Sequence, residues 1–225
     1  MGRRVEFPSN GHTCQGYLAT PSSGRGAAVV VIQEWWGLVP HIEEVADRFA
    51  REGFLALAPD LYHGKVAKSP DDAGRLLMEL DVDRAERDIA GAAAFLLVQP
   101  ECSSKTFGVV GFCMGGALAQ YAASKNDKAA AAVSFYGGFK KVSVDWANLH
   151  AALLLIYGET DKGVPPAQGH EIENNLKRMG KEVEVVVYPG AGHAFFNDTR
   201  PAVYKADAAA DAWRRTVAHF RKHVF

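Results

Sequence analysis

The sequence predicts an α/β fold in which a mostly parallel central sheet carries helices on both faces. Segments rich in β-branched residues alternate with segments of helical spacing, and the connections between them are short. This alternation is the pattern of βαβ units, whose parallel strands are buried on both sides. Apolar residues make up 48 % of the 225 residues, which is enough for a sizeable core. We therefore expect residues 1–225 to form a single domain.

Strands are predicted where short apolar runs are bounded by glycine, proline or charged residues. The clearest run is AAVVVIQE at residues 27–34, which is typical of a buried parallel strand. Further strands are expected at residues 54–58, 106–112, 130–136, 152–157 and 183–188. Residues 5–7 and 13–19, which precede the first buried strand, have the pattern of an antiparallel leading hairpin.

Helices are predicted where apolar residues recur at intervals of three and four. In residues 42–51, for example, Val45 and Phe49 share a face with Ile42. The last helix, at residues 202–224, places Trp213 and Phe220 on one face. The remaining helices are expected at residues 71–80, 83–97, 114–124 and 166–179.

Charge and cysteine content argue against several classes of function. There are 25 basic and 26 acidic residues, and the basic ones are scattered, so we expect no nucleic-acid or anionic-membrane surface. No apolar run approaches the roughly 20 residues of a membrane span, and none follows Arg3 and Arg4 as in a signal peptide. The three cysteines are an odd number without close pairing, which argues against a disulfide scaffold and favours a reducing, cytoplasmic setting. None forms a C-x-x-C pair, so a zinc ribbon or thioredoxin-type site is not expected.

The most informative segment is TFGVVGFCMGGALAQ at residues 106–120, where a strand runs directly into an alanine-rich helix. Gly111-Phe112-Cys113-Met114-Gly115 matches the G-x-S-x-G nucleophile elbow, with cysteine in place of serine. The glycines leave room for a sharp turn, and the helix N-terminus favours a nucleophilic thiolate at Cys113. The N–H group of Met114 is placed to serve an oxyanion hole. A phosphate loop and an inert buried thiol are the competing interpretations, although the glycine spacing does not fit a phosphate loop.

The other members of a catalytic triad are expected after later strands, in the order acid and then histidine. Asp161 follows the strand predicted at residues 152–157, and His193 follows the strand at Val183–Tyr188. Both loops therefore lie at the carboxyl edge of the sheet, as the elbow does. Glu159 is the nearest rival to Asp161. This order predicts an α/β-hydrolase fold with Cys113, Asp161 and His193 as its catalytic residues.

The loop Gln33-Glu34-Trp35-Trp36-Gly37 closes the first buried strand at the same edge. The N–H group of Trp35 is the candidate for the second oxyanion donor. The ring of Trp36 is expected to line the substrate pocket, as are Tyr136 and Phe195. A carboxylate at Glu34 is unusual beside a thiolate because the two charges repel each other.

These residues resemble the dienelactone hydrolase family, also called carboxymethylenebutenolidases. The resemblance covers nearly the whole chain and is carried by five segments: VIQEWWG at 31–37, APDLYHG at 58–64, GFCMGG at 111–116, YGETDKGVP at 157–165 and YPGAGHAFFND at 188–198. It implies hydrolysis of an enol-lactone or ester by Cys113, Asp161 and His193, without a metal or organic cofactor. It also implies that Glu34 engages the resting thiol and helps to activate it.

The chain departs from this family where the substrate carboxylate is held. An arginine is expected a few residues after the triad histidine, and Asn197 stands at the matching position. Arg200 lies nearby and is a candidate substitute. A second family arginine has Arg75 as its nearest counterpart. We therefore include Asn197 and Arg200 among the candidate substrate-binding residues, and whether dienelactone itself is a substrate stays open.

Two other functions are compatible with parts of this sequence. One is hydrolysis of another activated bond, such as a thioester or phosphotriester, because the same elbow serves either reaction. The other is a non-enzymatic small-molecule binding protein, against which an ordered nucleophile, base and acid argue. No set of histidine, cysteine and acidic residues has metal-site spacing, so no metal is expected. The expected partner is a small-molecule substrate, with the protein as a monomer or homodimer.

Overall fold

An eight-stranded sheet forms the centre of the molecule in a computed structural model that describes residues 2–9 and 11–224. The order of strands across the sheet is β1-β2-β4-β3-β5-β6-β7-β8. Their bounds are β1 Arg3–Ser9, β2 His12–Ala19, β3 Gly26–Ile32, β4 Leu55–Pro59, β5 Cys102–Phe112, β6 Ala129–Phe135, β7 Ala152–Gly158 and β8 Val183–Tyr188. All the strands predicted from the sequence are present.

The direction of the strands confirms a mostly parallel sheet with an antiparallel leading hairpin. β1 pairs with β2, and β2 pairs with β4, in antiparallel register. The six strands β4, β3, β5, β6, β7 and β8 run parallel to one another. Because parallel strands end at the same edge, the loops after β3, β5, β6, β7 and β8 meet there.

Helices cover both faces of the sheet, as the alternating pattern predicts. Their bounds are α1 Pro40–Arg51, α2 Pro70–Glu79, α3 Val82–Leu97, α4 Met114–Lys125, α5 Pro166–Arg178 and α6 Ala206–His223, with a short 3₁₀ turn at Trp146–Asn148. One apolar cluster packs α1 and α6 against the sheet, through residues such as Ile42 and Phe220. A second packs α3 and α4 on the opposite face, through residues such as Ile89 and Leu118. Among the described residues, no helix has the length and apolar character needed to cross a bilayer.

Most boundaries lie within two residues of the sequence prediction, and two differ by four residues for identifiable reasons. β5 begins at Cys102 rather than at residue 106, and the Ser104 hydroxyl accepts a hydrogen bond of 3.0 Å from the Ala28 N–H group of β3. The Ser104 hydroxyl thus extends the pairing of β5 with β3 over residues that lack the apolar pattern of a buried strand. α6 begins at Ala206 rather than at residue 202, because the Lys205 N–H group donates to the Phe195 carbonyl and fixes the preceding turns against the loop after β8.

The elbow glycine Gly111 should tolerate no side chain. A Cβ atom there would lie 1.9 Å from the Gly115 carbonyl oxygen, which is backbone and cannot move aside. We expect Gly111→Ala to lower the free energy of unfolding by about 1–3 kcal/mol or more, as measured by urea denaturation. The matched control is Gly74→Ala in α2, where a Cβ meets nothing within 4 Å. That variant should gain about 0.4–1 kcal/mol, and equal effects at both sites would contradict this packing argument.

Candidate active site

Cys113 occupies a sharp turn between β5 and α4. Its backbone has φ 56° and ψ −120°, a conformation that non-glycine residues rarely adopt. The Cys113 N–H group donates a 3.0 Å hydrogen bond to the Phe135 carbonyl at the end of β6, which holds the turn in place. The side chain is partly exposed, whereas Cys14 and Cys102 are buried. Strain of this kind, retained by surrounding contacts, is a frequent property of functional positions.

Two glycines, Gly115 and Gly116, let the backbone of α4 begin in direct contact with the backbone at the ends of neighbouring strands. A Cβ at Gly115 would lie 2.4 Å from the Gln33 carbonyl oxygen, and one at Gly116 would lie 2.7 Å from the Gly137 Cα. The first turn of α4 therefore sits between the ends of β3 and β6. Met114 is the first residue of this helix, so its N–H group has no acceptor within the helix.

His193 and Asp161 lie opposite one another at the same edge. The His193 Nδ1 atom is 2.7 Å from Asp161 Oδ2. The other carboxylate oxygen, Oδ1, accepts hydrogen bonds of 2.9 Å from the N–H groups of Gly163 and Val164. The Asp161 side chain is fully buried and the His193 side chain is 34 % exposed. Backbone donors thus fix one carboxylate oxygen of Asp161, and the other oxygen pairs with the His193 imidazole.

Hydrogen bonds between the two loops fix the spacing of the acid and the histidine. Thr160 donates from both its N–H group and its hydroxyl to the Ala191 carbonyl, each over 2.9 Å. Glu159, the rival acid, accepts a 2.9 Å hydrogen bond from the Gly190 N–H group at the exposed side of the loop. Asp161 rather than Glu159 therefore lies next to His193.

Electrostatics hold His193 in its charged form and Asp161 in its ionised form. Burial alone lowers the pKa of His193, but hydrogen bonds to Asp161 and Cys113 outweigh it and raise the pKa to about 10. Burial tends to raise the pKa of Asp161, while the His193 hydrogen bond and the N–H groups of Val164 and Gly163 lower it on balance. The thiol, imidazole and carboxylate consequently form one continuous hydrogen-bonded chain.

Glu34 is buried and is held by two neighbours. The Tyr136 hydroxyl donates to Glu34 Oε1 over 3.4 Å, and the Asn197 amide donates to Glu34 Oε2 over 2.8 Å. Burial, the Glu34 carboxylate and the nearby Cys113 raise the pKa of Tyr136 well above 10, so its hydroxyl stays protonated. The Tyr136 ring centroid is 5.0 Å from that of His193. Glu34 therefore belongs to the same cluster as the thiol and the imidazole.

The aromatic and cationic residues predicted to bind substrate lie around this cluster in different environments. Trp35 and Trp36 are partly exposed, and their rings form an edge contact with centroids 5.2 Å apart. The Arg200 guanidinium lies 5.8 Å from the Trp36 ring centroid, and its charge reaches Tyr136, where it partly offsets the rise in pKa. Phe195 is fully buried and packs on Tyr136, with centroids 5.7 Å apart.

Asn197 and Arg75, which stand where the family's anion-binding arginines are expected, have other partners. The buried Asn197 amide is engaged by Glu34, and its carbonyl oxygen accepts from the Thr199 N–H and hydroxyl groups. Arg75 lies exposed on α2 and pairs with Asp72 over 2.7 Å. Contact of Asn197 or Arg200 with substrate stays a prediction.

Sequence reasoning missed Tyr62, which the structure places beside the elbow. Its hydroxyl lies 3.5 Å from the Met114 sulfur atom, and the side chain is 5 % exposed. Burial and the Cys113 charge both raise the pKa of Tyr62. The segment APDLYHG contains this tyrosine, but spacing alone carries no sign of its contact with α4.

A family model supplies the identification of the chain. The model of the dienelactone hydrolase family matches residues 14–224, which include every residue of the site described above. The chain belongs to the dienelactone hydrolase family. This membership makes it a hydrolase of the carboxylic ester class. It therefore argues against the alternative of a non-enzymatic binding protein.

Curated relatives match this family member along its whole length. Protein usf of Aquifex pyrophilus is 42 % identical over 231 residues, covering 100 % of both chains. A protein of Aquifex aeolicus, named as a candidate carboxymethylenebutenolidase, is 36 % identical with the same coverage.

Solved structures show that the dienelactone hydrolase fold extends over the whole chain. A candidate dienelactone hydrolase from Klebsiella pneumoniae superimposes with a TM-score of 0.88 at 30 % identity, covering 98 % of each chain. A dienelactone hydrolase-like promiscuous phosphotriesterase from metagenomic libraries gives a TM-score of 0.89 at 25 % identity, covering 100 % of this chain and 99 % of the other.

The raised pKa of His193 should make the stability of this dienelactone hydrolase family member depend on pH. A histidine whose pKa rises from 6.5 to about 10 on folding stabilises the protein fully below pH 6.5, and that contribution is lost between pH 6.5 and about 10. The melting temperature of wild type minus that of His193→Gln should therefore decrease across this range. The exposed His170→Gln is the control and should parallel wild type. A constant difference between wild type and His193→Gln would show that the imidazole is not held charged.

Proposed function

We propose that this protein hydrolyses carboxylic esters or lactones through a covalent acyl-enzyme on Cys113. The observation that carries the proposal is the continuous chain from the Cys113 thiol through His193 to the buried Asp161 carboxylate. Each member has the role that its environment supports: a nucleophile at a helix N-terminus, a proton carrier next to it, and an acid fixed by backbone donors.

In the first step the Cys113 sulfur attacks the substrate carbonyl carbon, and a carbon–sulfur bond forms. His193 holds the proton and delivers it to the departing alkoxide oxygen as the carbon–oxygen bond breaks. In a lactone this oxygen remains attached to the acyl group, so the ring opens. In the second step His193 removes a proton from water, whose oxygen attacks the thioester carbonyl and releases the carboxylic acid and the thiol.

The oxyanion that forms in each step would be stabilised by two backbone N–H groups. One belongs to Met114, at the start of α4. The other belongs to Trp35, in the loop after β3. Support for this pair comes from the sheet, in which Ile32 of β3 is in register with Gly111 of β5, so the two loops begin side by side. Preorganised donors of this kind are each worth roughly 3–4 kcal/mol of transition-state stabilisation.

Glu34 would control when the thiol becomes reactive. Its buried carboxylate is held between Tyr136 and Asn197, next to a thiol and an imidazole that share a proton. A carboxylate in this position would engage the resting thiol and help to activate it when substrate arrives. This is consistent with the role that the family resemblance implies for Glu34.

A second candidate activity is hydrolysis of an activated phosphotriester. It is favoured by the high structural similarity to a protein described as a promiscuous phosphotriesterase of dienelactone hydrolase type. The same thiol would attack phosphorus instead of a carbonyl carbon, and the oxyanion donors would bind the phosphoryl oxygen. The phosphorus–oxygen bond to the leaving group would break, with His193 protonating the departing oxygen, and water would then hydrolyse the phosphorus–sulfur bond to release the diester and the thiol. The two activities need no difference in the catalytic residues, so substrate profiling separates them.

Activity on an aryl ester should depend on Cys113 alone among the cysteines. Cys113→Ala should abolish turnover, and Asp161→Asn should lower kcat by a factor of about 10⁴, as in a well-studied serine triad. Cys14→Ala is the matched control, because burial, Asp88 and Asp60 raise the pKa of the Cys14 thiol to about 12 and keep it unreactive. Iodoacetamide should label Cys113 in step with the loss of activity. Full activity in Cys113→Ala, or inactivation by alkylation at Cys14, would overturn the proposed mechanism.

Neutral aryl esters should be better substrates than dienelactone. The position of the family arginine holds the neutral Asn197, whose amide is already bound to Glu34. Loss of a charge-assisted contact of about 1.5–3 kcal/mol corresponds to roughly 10- to 100-fold in specificity. The measurement compares kcat/KM for dienelactone and for a neutral aryl ester of similar size, in wild type and in Arg200→Ala. A strong preference for dienelactone that Arg200→Ala abolishes would show that Arg200 supplies the missing carboxylate contact.

A further inference from the structure

Two histidines and an aspartate converge on the side of the sheet that carries α3. His12 begins β2, His63 lies in the loop after β4, and Asp88 lies on α3. The His12 Nε2 atom is 3.0 Å from Asp88 Oδ1, and the His63 Nε2 atom is 3.1 Å from Asp88 Oδ2. One ligand atom from each residue lies within 4.8 Å of the others. Three donors of the types that bind zinc thus lie close enough together to share one ion.

The aspartate is fully buried and has one oxygen without a hydrogen-bond donor. Asp88 Oδ1 accepts hydrogen bonds from the Ser9 hydroxyl and from His12. Among the described residues, Asp88 Oδ2 accepts no aligned hydrogen bond, although the His63 nitrogen is 3.1 Å away. A buried carboxylate oxygen left in this state is costly, and a cation in front of it would remove the cost.

The histidines give this buried carboxylate a route to solvent. The side chains of His12 and His63 are 30 % and 28 % exposed, so an ion can enter from outside. His63 is presented by a firmly held loop, since the Asp60 carboxylate accepts hydrogen bonds from the N–H groups of Tyr62 and Gly64. The three donors come from separate elements that are already fixed by the fold.

We propose that His12, His63 and Asp88 bind one divalent transition-metal ion of the zinc class. Two imidazole nitrogens and a carboxylate oxygen are borderline ligands that suit zinc, with a fourth position open to water. Zinc-to-ligand distances of about 2.0–2.2 Å place neighbouring ligands of a tetrahedral ion about 3.3–3.6 Å apart. The histidine nitrogens now lie slightly nearer to Asp88, at 3.0 Å from Oδ1 and 3.1 Å from Oδ2, so a small outward shift of the side chains would admit the ion. The imidazoles would coordinate in their neutral form through Nε2.

The expected role of this ion is to link three elements of the fold. It would join the leading hairpin to α3 and to the loop after β4. That loop continues through Tyr62, whose hydroxyl contacts Met114 at the start of α4. The bound cation would thereby stabilise the loop that positions Tyr62 against α4, without taking part in the reaction proposed above. The spacing argument from the sequence did not find it, because His12 and Asp88 lie 76 residues apart.

The test measures zinc binding in the Cys113→Ala protein, which removes the catalytic thiolate as a competing ligand. After removal of metals with EDTA, isothermal titration calorimetry at pH 7.5 should show one zinc ion bound per chain. Zinc at a 100-fold excess over its Kd should raise the melting temperature by roughly 5–10 °C. His63→Gln and Asp88→Asn should each weaken binding by more than about 100-fold, since even partners of metal ligands contribute 10- to 100-fold.

Two further variants keep the outcome decisive. His12→Gln lies at the exposed rim, so it tests the site even where Asp88→Asn fails to fold, and it should also weaken zinc binding strongly. His170→Gln, an exposed histidine on α5, is the matched control and should bind zinc as the parent does. Absence of zinc binding would overturn the proposal and leave the cluster as a hydrogen-bonded ion pair. Binding that survives at the three site variants but is lost in His193→Gln would place the ion at the catalytic histidine instead.

Discussion

The close approach of backbones at the elbow is the constraint on which the rest of the site depends. β5 can run into α4 at Cys113 only because Gly111 and Gly115 have no side chains, as their would-be Cβ atoms fall 1.9 Å and 2.4 Å from neighbouring carbonyl oxygens. The turn holds the Cys113 backbone at φ 56° and places its thiol in front of a helix N-terminus. The same packing sets the Met114 N–H group beside the loop after β3, where the second oxyanion donor is expected.

A parallel sheet then brings distant residues to this turn. Cys113, Tyr136, Asp161 and His193 each follow a different strand, and β5 to β8 are neighbours in the sheet. Hydrogen bonds from Thr160 to the Ala191 carbonyl fix the acid and histidine loops against each other. In the proposed mechanism, this preorganisation would leave the reacting groups little to rearrange, and such preorganisation is the largest source of many enzymatic rate enhancements.

Much of the fold could be predicted from the sequence because a buried parallel sheet leaves a strong pattern. β3 and β8 are visible as β-branched runs, and the elbow is visible because its glycines are required by backbone geometry. The start of β5 at Cys102 was not predictable in this way, because the residues there are polar and the Ser104 hydroxyl makes a hydrogen bond to β3. The turns before α6 were likewise missed, since backbone hydrogen bonds within residues 197–204 and from Lys205 to Phe195 form them, and these contacts leave no apolar pattern.

Contacts between side chains far apart in sequence were the least predictable part of the candidate site. Order along the chain indicates that Asp161 and His193 follow strands at the same edge, but not that Asn197 binds Glu34. The contact of Tyr62 with Met114 depends on how the loop after β4 packs on α4. The approach of His12 to Asp88 depends on how the hairpin packs on α3. No local spacing encodes such contacts, because each partner is positioned by a different element.

Trapping of the acyl-enzyme tests the central claim most directly. The protein is mixed with an aryl ester, quenched in acid within milliseconds, digested and analysed by mass spectrometry. The mechanism predicts one acyl group per chain, attached as a thioester to the peptide that contains Cys113, with a matching burst of released phenol. Hydrolysis at full rate with no acyl group on Cys113, or with the acyl group on another residue, would contradict it.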